Sequence, residues 1–316
     1  MDLQYLIWLQ ELRESANNVL TPFMMNISDF AIFYSILIPS FIYWCLNKRN
    51  GLYVFFVIVF NGMLASCIKL TACVYRPWIR EPKIIPAGDS IRTATGYSFP
   101  SGHTTMATAV YGGSALALRK KWSYILAGLV ILTTAFSRNY LGVHTPQDVI
   151  CGFLLAVFSI RSLAKALKYI EQHRNKENLM LAVLFFLGIA TLTYAEYKPY
   201  PMDYIDGKLI VDPKKMILEA WHTTGQLFGV IVGRLVEKHF IKFSPSLNFR
   251  RVIFSLIGMV VLYFLIKNLT AFVSRFAGLY WRRLITQFIT YFYIIAIWPA
   301  VMKIFAVSYP KAKGYH

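Results

Sequence analysis

The chain has 316 residues, of which 57% are hydrophobic, 16% aromatic and only 15% charged, and its formal net charge is +18. A mean hydropathy of +0.49 excludes an ordinary soluble enzyme, and the abundance of apolar side chains excludes a disordered chain. Such a charge in a soluble protein would suggest nucleic acid, but here the basic residues stand in short loops between apolar runs, as in the cytoplasmic loops of a membrane protein, so no nucleic-acid partner is expected.

In residues 1–26, Leu3, Leu6, Ile7 and Trp8 stand among polar positions. This spacing predicts an amphipathic helix lying at the membrane interface, anchored by Tyr5 and Trp8. Asp2, Glu11, Arg13 and Glu14 do not form the basic start of a signal peptide, so no cleaved leader is expected. Apolar runs follow at 27–46, 51–74, 101–118, 122–137, 146–163, 179–196, 216–234, 252–273 and 284–307. Most approach the roughly 20 residues that a spanning helix needs. The expectation is an all-α polytopic membrane protein with about nine transmembrane helices.

Loop charge sets the orientation. One set of loops, from Lys48 and Arg49 through Arg174 to Lys303, Lys311 and Lys313, holds 18 basic residues; the other, from Arg13 and Arg76 to Arg283, holds 13. The richer set is assigned to the cytoplasm. Segments 76–99, 138–145 and 197–215 then face outward or into a lumen. The first is rich in Pro and Gly and reads as irregular; the last carries Asp203, Asp206, Gly207 and Asp212 and reads as a polar, turn-rich loop.

Three clusters stand on that outward side. Lys69 ends the second run, with Arg76 and Pro77 seven and eight residues on. An ionisable residue in an apolar run is a functional candidate, and the two cations share a face if the helix continues that far; the bland alternative is a pair of snorkelling cations. Pro100-Ser101-Gly102-His103 suits a helix start, with backbone N–H groups that favour an anion, a glycine that lets backbone approach a ligand, and a donor that titrates near neutrality. An ordinary cap with a histidine beside it explains the same residues. Ser137-Arg138, His144 and Asp148 form the third cluster. On a helix the last two are neighbours at i, i+4, and a carboxylate beside a histidine fixes the ring tautomer. Arg138 offers a planar fork to phosphate oxygens. A structural His–Asp pair and, less readily, a metal site compete with this reading.

In order, the clusters read Lys69-x6-Arg76-Pro77, Pro100-Ser101-Gly102-His103 and Ser137-Arg138-x5-His144-x3-Asp148. This resembles the three-part motif of the type 2 phosphatidic acid phosphatase (PAP2) superfamily, with all eleven fixed positions present. The resemblance implies a PAP2-type helical bundle with its catalytic core at 27–178, and residues 179–316 as additional helices of the same membrane domain. The helix count is similar to that of glucose-6-phosphatase and sphingosine-phosphate phosphatase relatives. It also implies the roles. His144 attacks phosphorus and forms a phosphohistidine, Asp148 orients it, and His103 protonates the leaving oxygen. Lys69, Arg76, Ser101, Gly102 and Arg138 bind the phosphate.

No metal or other cofactor is implied. The partners expected are a lipid phosphate substrate and the surrounding lipid, with a sugar phosphate or a phosphotransferase reaction as alternatives. The site faces outward from a bacterial plasma membrane or into the endoplasmic reticulum lumen. The opposite protonation states needed of the two histidines predict a bell-shaped pH profile.

The four cysteines read as small buried hydrophobes. His173, His222, His239 and His316 read as solvated or packing residues. Glu219, His222 and Lys267 read more readily as polar contacts between helices than as a cavity lining. Tyr97, Phe99 and Tyr140 flank the motifs as possible substrate contacts.

Overall fold

The structure is a computed structural model that describes residues 2–307, without the side chains of residues 174, 306 and 307. Lys311, Lys313 and His316 lie outside the described residues, as does the side chain of Arg174.

In chain order the helices are α1 (Asp2–Ser15), α2 (Thr21–Phe33), α3 (Leu37–Phe41), α4 (Lys48–Ala72), α5 (Pro77–Arg80), α6 (Gly102–Ala107), α7 (Gly113–Leu118), α8 (Lys121–Tyr140), α9 (Pro146–Gln172), α10 (Glu177–Tyr197), α11 (Pro213–Val236), α12 (Phe249–Val273), α13 (Leu279–Phe292) and α14 (Trp298–Val307). Single π-helical turns at Ile42–Leu46, Thr108–Gly112, Glu237–Ile241 and Tyr293–Ile297 extend or join them. The only strands among the described residues form a hairpin, β1 (Tyr204–Ile205) against β2 (Lys208–Leu209), in the turn-rich loop. Asp206 and Gly207 both have positive φ there, as a tight two-residue hairpin turn requires.

Every one of the nine apolar runs is helical. Five helical segments are long and apolar enough to cross a membrane, and a sixth qualifies if α2 and the segment Leu37–Leu46, bent by 40°, count as one. The expectation of nine spans therefore goes beyond what length and apolarity support. The stretch from α6 to α7 is short, and α8 and α11 carry charged or polar side chains at their ends, including Lys121, Arg138, Lys214, Lys215 and Arg234. Several apolar helices nevertheless make this a multi-pass membrane protein.

The N-terminal segment is helical and packed. Arg13 is buried and donates to the carbonyls of Tyr140 (3.2 Å) and Ile85 (3.0 Å), and Leu6 and Leu9 pack on Ile84. Helix α1 is thus docked on the loops at 84–85 and 140, with Trp8 left exposed. Helix α2 begins at Thr21, inside the segment assigned to the interface, with Pro22 in its first turn where a missing N–H costs nothing.

Helix α4 is the axis of the bundle. Its residues Gly51–Val59 are buried on every face, as expected of a helix that is apolar all round. The preceding π turn packs hard against it, because a Cβ on Gly51 would collide with Tyr43. Tyr43 and Trp44 donate to the carbonyls of Ile295 (3.0 Å) and Ile294 (2.9 Å), in a π turn whose backbone carbonyls are open to such donors. Helix α11 packs on α4, α10 and α13. Its seam with α13 is Gly225, Gly229 and Gly233: a Cβ on the first two would strike the backbone of Leu284 and Phe288, and on the third would sit 2.9 Å from the Ile295 side chain. Small residues at four-residue spacing let two backbones approach where apolar burial between lipid-facing helices drives little.

Lys48 and Lys69 mark the two ends of α4, about 32 Å apart at the helical rise, close to the thickness of a hydrocarbon core. At the Lys48 end, Glu237 is fully buried and accepts from Lys48 (2.9 Å), Arg234 (2.7 Å) and the Phe243 N–H (2.9 Å). Removing one partner of a buried ion pair leaves uncompensated charge and costs about 3–5 kcal/mol. The Glu237→Ala protein is expected to melt well below wild type in detergent. A melting temperature within a degree of wild type would mean that this network contributes little.

Candidate active site

All three motif clusters come to the Lys69 end. Helix α4 stops at Ala72, because Cys73 turns left-handed (φ +46) and returns its N–H to the Lys69 carbonyl (3.1 Å). The condition for a face shared by Lys69 and Arg76, a helix continuing that far, is therefore not met, in keeping with the irregular reading of 76–99. Arg76 is in extended backbone, as the residue before Pro77 tends to be. From there its guanidinium is buried and donates to the carbonyls of Gly96 (3.0 Å), Thr95 (2.9 Å) and Val143 (3.0 Å) and to Nε2 of His144 (2.8 Å). Four of the five guanidinium donors thus clamp the loops at 95–96 and 143–144 together.

His144 and Asp148 are not both helical, as the i, i+4 expectation assumed. Thr145 is the N-cap of α9, Asp148 its third residue, and His144 lies just outside. They meet through a capping box. The Thr145 hydroxyl accepts from the Asp148 N–H (3.4 Å), and Asp148 Oδ2 accepts from the Thr145 N–H (2.8 Å). The same Oδ2 accepts from the Ser98 hydroxyl (2.6 Å) and stands 3.4 Å from His144 Nδ1. This network assigns the proton to Nδ1 and the lone pair to Nε2, where Arg76 donates. Gly142, at φ +72, makes the turn before His144, and the Arg138 carbonyl accepts the N–H groups of Val143 (3.2 Å) and His144 (3.3 Å). Asn139 fixes the His144 carbonyl (2.8 Å).

Ser101 caps α6. Its N–H donates to the Asp148 carbonyl (2.9 Å), and its buried hydroxyl is engaged with Thr104, 3.1 Å from that residue's Oγ1. The Ser101 hydroxyl therefore serves the cap and does not line the cavity. Gly152 of α9 seats the start of α6: a Cβ there would stand 2.7 Å from Thr105 Oγ1 and 2.9 Å from the Ser101 carbonyl. Arg138 is 1% exposed and donates to Ser28 Oγ (2.6 Å), while its Nε and Nη2 have no hydrogen-bond partner among the described residues. It lies behind the main cavity, beside Asp29 and Arg92.

The main cavity, about 570 Å³, brings together Lys69, Arg76, Gly102, His103 and His144. Its far wall is α11 and α13, which contribute Lys215, Glu219, His222, Thr223 and Arg283. Glu219 Oε2 lies 3.4 Å from Lys69 Nζ. Lys267, by contrast, is exposed on α12 and takes no part. Neither do Tyr97 and Tyr140, which are buried in packing, nor Phe99. His173 and His239 are exposed and face carbonyls one turn back. Burial and the Arg76 guanidinium push the His144 imidazole below its ordinary value, against the opposite pull of Asp148.

The sequence profile of the PAP2 superfamily matches residues 50–172, the stretch that holds all three clusters. Undecaprenyl-diphosphatase BcrC of Bacillus subtilis is 31% identical over 148 residues, 45% of this chain and 72% of that protein. The chain belongs to the PAP2 superfamily. Phosphatidylglycerophosphatase B of B. subtilis is 27% identical over 177 residues (52% of this chain, 80% of that one), and the rat sphingosine-1-phosphate phosphatase 1 is 30% identical over 232 residues (69% and 48%). The chain thus spans less than half of the rat protein. No solved structure matches. The PAP2 match ends at 172, so the α11 wall lies outside it.

Sequence reasoning missed Ser98 and the Thr145 cap, although Thr-x-x-Asp before an apolar run is a readable cap signal. It undervalued Glu219 and His222, whose signal was polarity within an apolar run. The close seat at Gly152 has a direct consequence. Gly152→Ala must displace the start of α6, and with it Gly102 and His103, and a shift of about 1 Å at a reacting centre can cost about a hundredfold in rate. A protein that folds but turns over at least tenfold more slowly is expected; unchanged turnover would show that α6 accommodates the methyl group.

Proposed function

We propose that this PAP2 phosphatase hydrolyses a lipid phosphate or diphosphate at the outward membrane interface, through a phosphohistidine on His144 and without a metal. The observation that carries the reading is the His144 imidazole. It is held between Asp148 at Nδ1 and Arg76 at Nε2, on the wall of a cavity it shares with Lys69 and His103. A neutral imidazole with its lone pair on Nε2 is the form that attacks phosphorus, and in this reading the incoming phosphate takes over the Arg76 Nη1 donor that occupies the lone pair.

In this reading Nε2 forms the P–N bond while the bond to the ester oxygen breaks. His103 delivers its proton to that oxygen, or to the bridging oxygen of a diphosphate, and the alcohol, or the lipid monophosphate, departs. Water, deprotonated by His103, then attacks phosphorus and releases inorganic phosphate, restoring both histidines. Lys69, Arg76 and the Gly102 N–H hold the equatorial oxygens, where charge accumulates in the transition state; Arg138, behind the cavity, adds positive charge from there without lining it. Ser101 acts by holding the start of α6. The family's relatives named above act on phosphatidylglycerophosphate, undecaprenyl diphosphate and sphingosine 1-phosphate. Phosphatidate, polyprenyl diphosphates and sphingoid-base phosphates are accordingly the substrates to test. The excess of basic residues in the opposite loops supports an outward-facing site in a bacterial plasma membrane.

The test is phosphate release in detergent, with EDTA present, from lipid phosphates, lipid diphosphates and glucose 6-phosphate. Release from lipid substrates that His144→Ala abolishes, and that Arg76→Ala lowers by about a hundred- to thousandfold, is expected. Preference for glucose 6-phosphate would replace the lipid by a sugar, and release untouched by His144→Ala would remove the mechanism.

The lowered His144 pKa also sets a pH dependence. A depressed value keeps the imidazole neutral to lower pH, so activity is lost only as pH falls through it. The acid limb of kcat/KM is expected below about 6.5, the ordinary histidine value. An acid limb at or above pH 7 would contradict the neutral nucleophile.

A further inference from the structure

Helix α11 presents a polar stripe to the cavity. Lys215, Glu219, His222 and Thr223 recur at helical spacing, and all four line it, with Leu218 between them. Thr223 packs against Gly62 of α4, but the charge of Glu219 and the imidazole of His222 are not needed for the seam with α13, which is made of glycines. Charged and polar side chains in the membrane domain are costly and mark functional positions.

Glu219 is the one carboxylate among the described residues that line this cavity; the other charged lining residues are Lys69, Arg76, Lys215 and Arg283. Its partner Lys69 has Nζ 4.0 Å from where a Cβ of Gly102 would stand, at the start of α6. A carboxylate so close to a phosphate site repels the substrate's phosphate, unless the substrate also brings a hydrogen-bond donor. Once Lys69 turns to phosphate, the part-exposed carboxylate needs such a donor. One turn along, His222 Nε2 lies 2.9 Å from Gln226 Nε2, and that amide in turn donates to Gln287 Oε1 (3.2 Å). Gln226 therefore donates to Nε2, which leaves the His222 proton on Nδ1 as a donor. An acceptor and a donor one helical turn apart match a hydroxyl, which gives one hydrogen bond and takes another. An ammonium group can only give.

We propose that Glu219 and His222 read a free hydroxyl on the carbon next to the phosphate ester, so that the preferred substrates are hydroxyl-bearing phosphomonoesters of the glycerol or polyol type. The inference rests on the phosphatase reading above for its catalytic consequence, and on the cavity alone for its binding consequence. Glu219 and His222 are specificity residues here and take no part in bond making.

The experiment compares three single-tailed esters: dodecyl phosphate, 2-hydroxydodecyl phosphate and 2-aminododecyl phosphate. For the wild-type protein, kcat/KM is expected to be at least about tenfold higher for the hydroxyl compound than for the plain one, as a site built to bond a hydroxyl rejects the analogue that lacks it. Glu219→Ala should bring that ratio to within about threefold of one. Glu219→Gln, which keeps the shape and an acceptor oxygen, should fall between and guards against a folding failure. The ratio is indifferent to any common loss from a misplaced Lys69. An unchanged ratio in both variants, or an amine preferred over the hydroxyl, would overturn the proposal. Dissociation constants for the same compounds are measured on His144→Ala, with and without Glu219→Ala. If wild type releases no phosphate from any of the three, the phosphatase reading falls. A hydroxyl preference in binding that Glu219→Ala erases would still support the proposal, and equal binding of the three esters would overturn it.

Discussion

The carboxylate of Asp148 accepts hydrogen bonds from the Thr145 N–H and the Ser98 hydroxyl and faces Nδ1 of His144, while its backbone carbonyl takes the N–H of Ser101. Through this one residue, the start of α9, the start of α6, the loop at 98 and the histidine loop are held at one point. The helix cap is thus also the group that sets the tautomer of the histidine. A capping box needs only an acceptor at its third residue that reaches back to the N-cap N–H, and glutamine would serve. The charge and the position of Asp148 are explained by the histidine beside it. Arg76 plays the complementary part from the other side, spanning three carbonyls and the second ring nitrogen. Neither residue could be moved without shifting both loops.

The all-helical fold and the positions of its helices were legible because apolar runs in lipid have few other solutions: backbone groups must be satisfied within the segment. The three clusters were legible because their residue types and spacings are specific. How they meet was not. Lys69 and Arg76 would share a face only on a continued helix, and a left-handed Cys73 ends it, a turn that nothing local in the sequence forces. His144 and Asp148 looked like helical neighbours, yet meet across a cap. Ser98 and Gly152 act through contacts with residues 50 and 51 positions away, and no single-chain pattern reveals such pairs. The glycine seam of α11 was readable as four-residue spacing, but its partner on α13 was not.

The two ends of α4 carry opposite designs. At Lys48, a buried Glu237 is fully matched by two cations and a backbone N–H, which suits a closed structural joint. At Lys69, cations and histidines crowd a cavity with a single facing carboxylate. That excess of positive charge is a cost to the folded protein which an anionic ligand offsets. The membrane-thick helix between them keeps the joint and the site apart, so the bundle can be held firmly at one end while the other stays open to ligand.

Helix α11 reaches the cavity only because Gly225, Gly229 and Gly233 let it lie close against α13. That arrangement imposes an order on biogenesis. Every motif residue leaves the ribosome before residue 149, but the opposite wall of the cavity is made more than sixty residues later, and its support on α13 later still. Until those last helices enter the bilayer, the cationic pocket stands open on one side to lipid and water. The motif residues are therefore made early and the wall that faces them late.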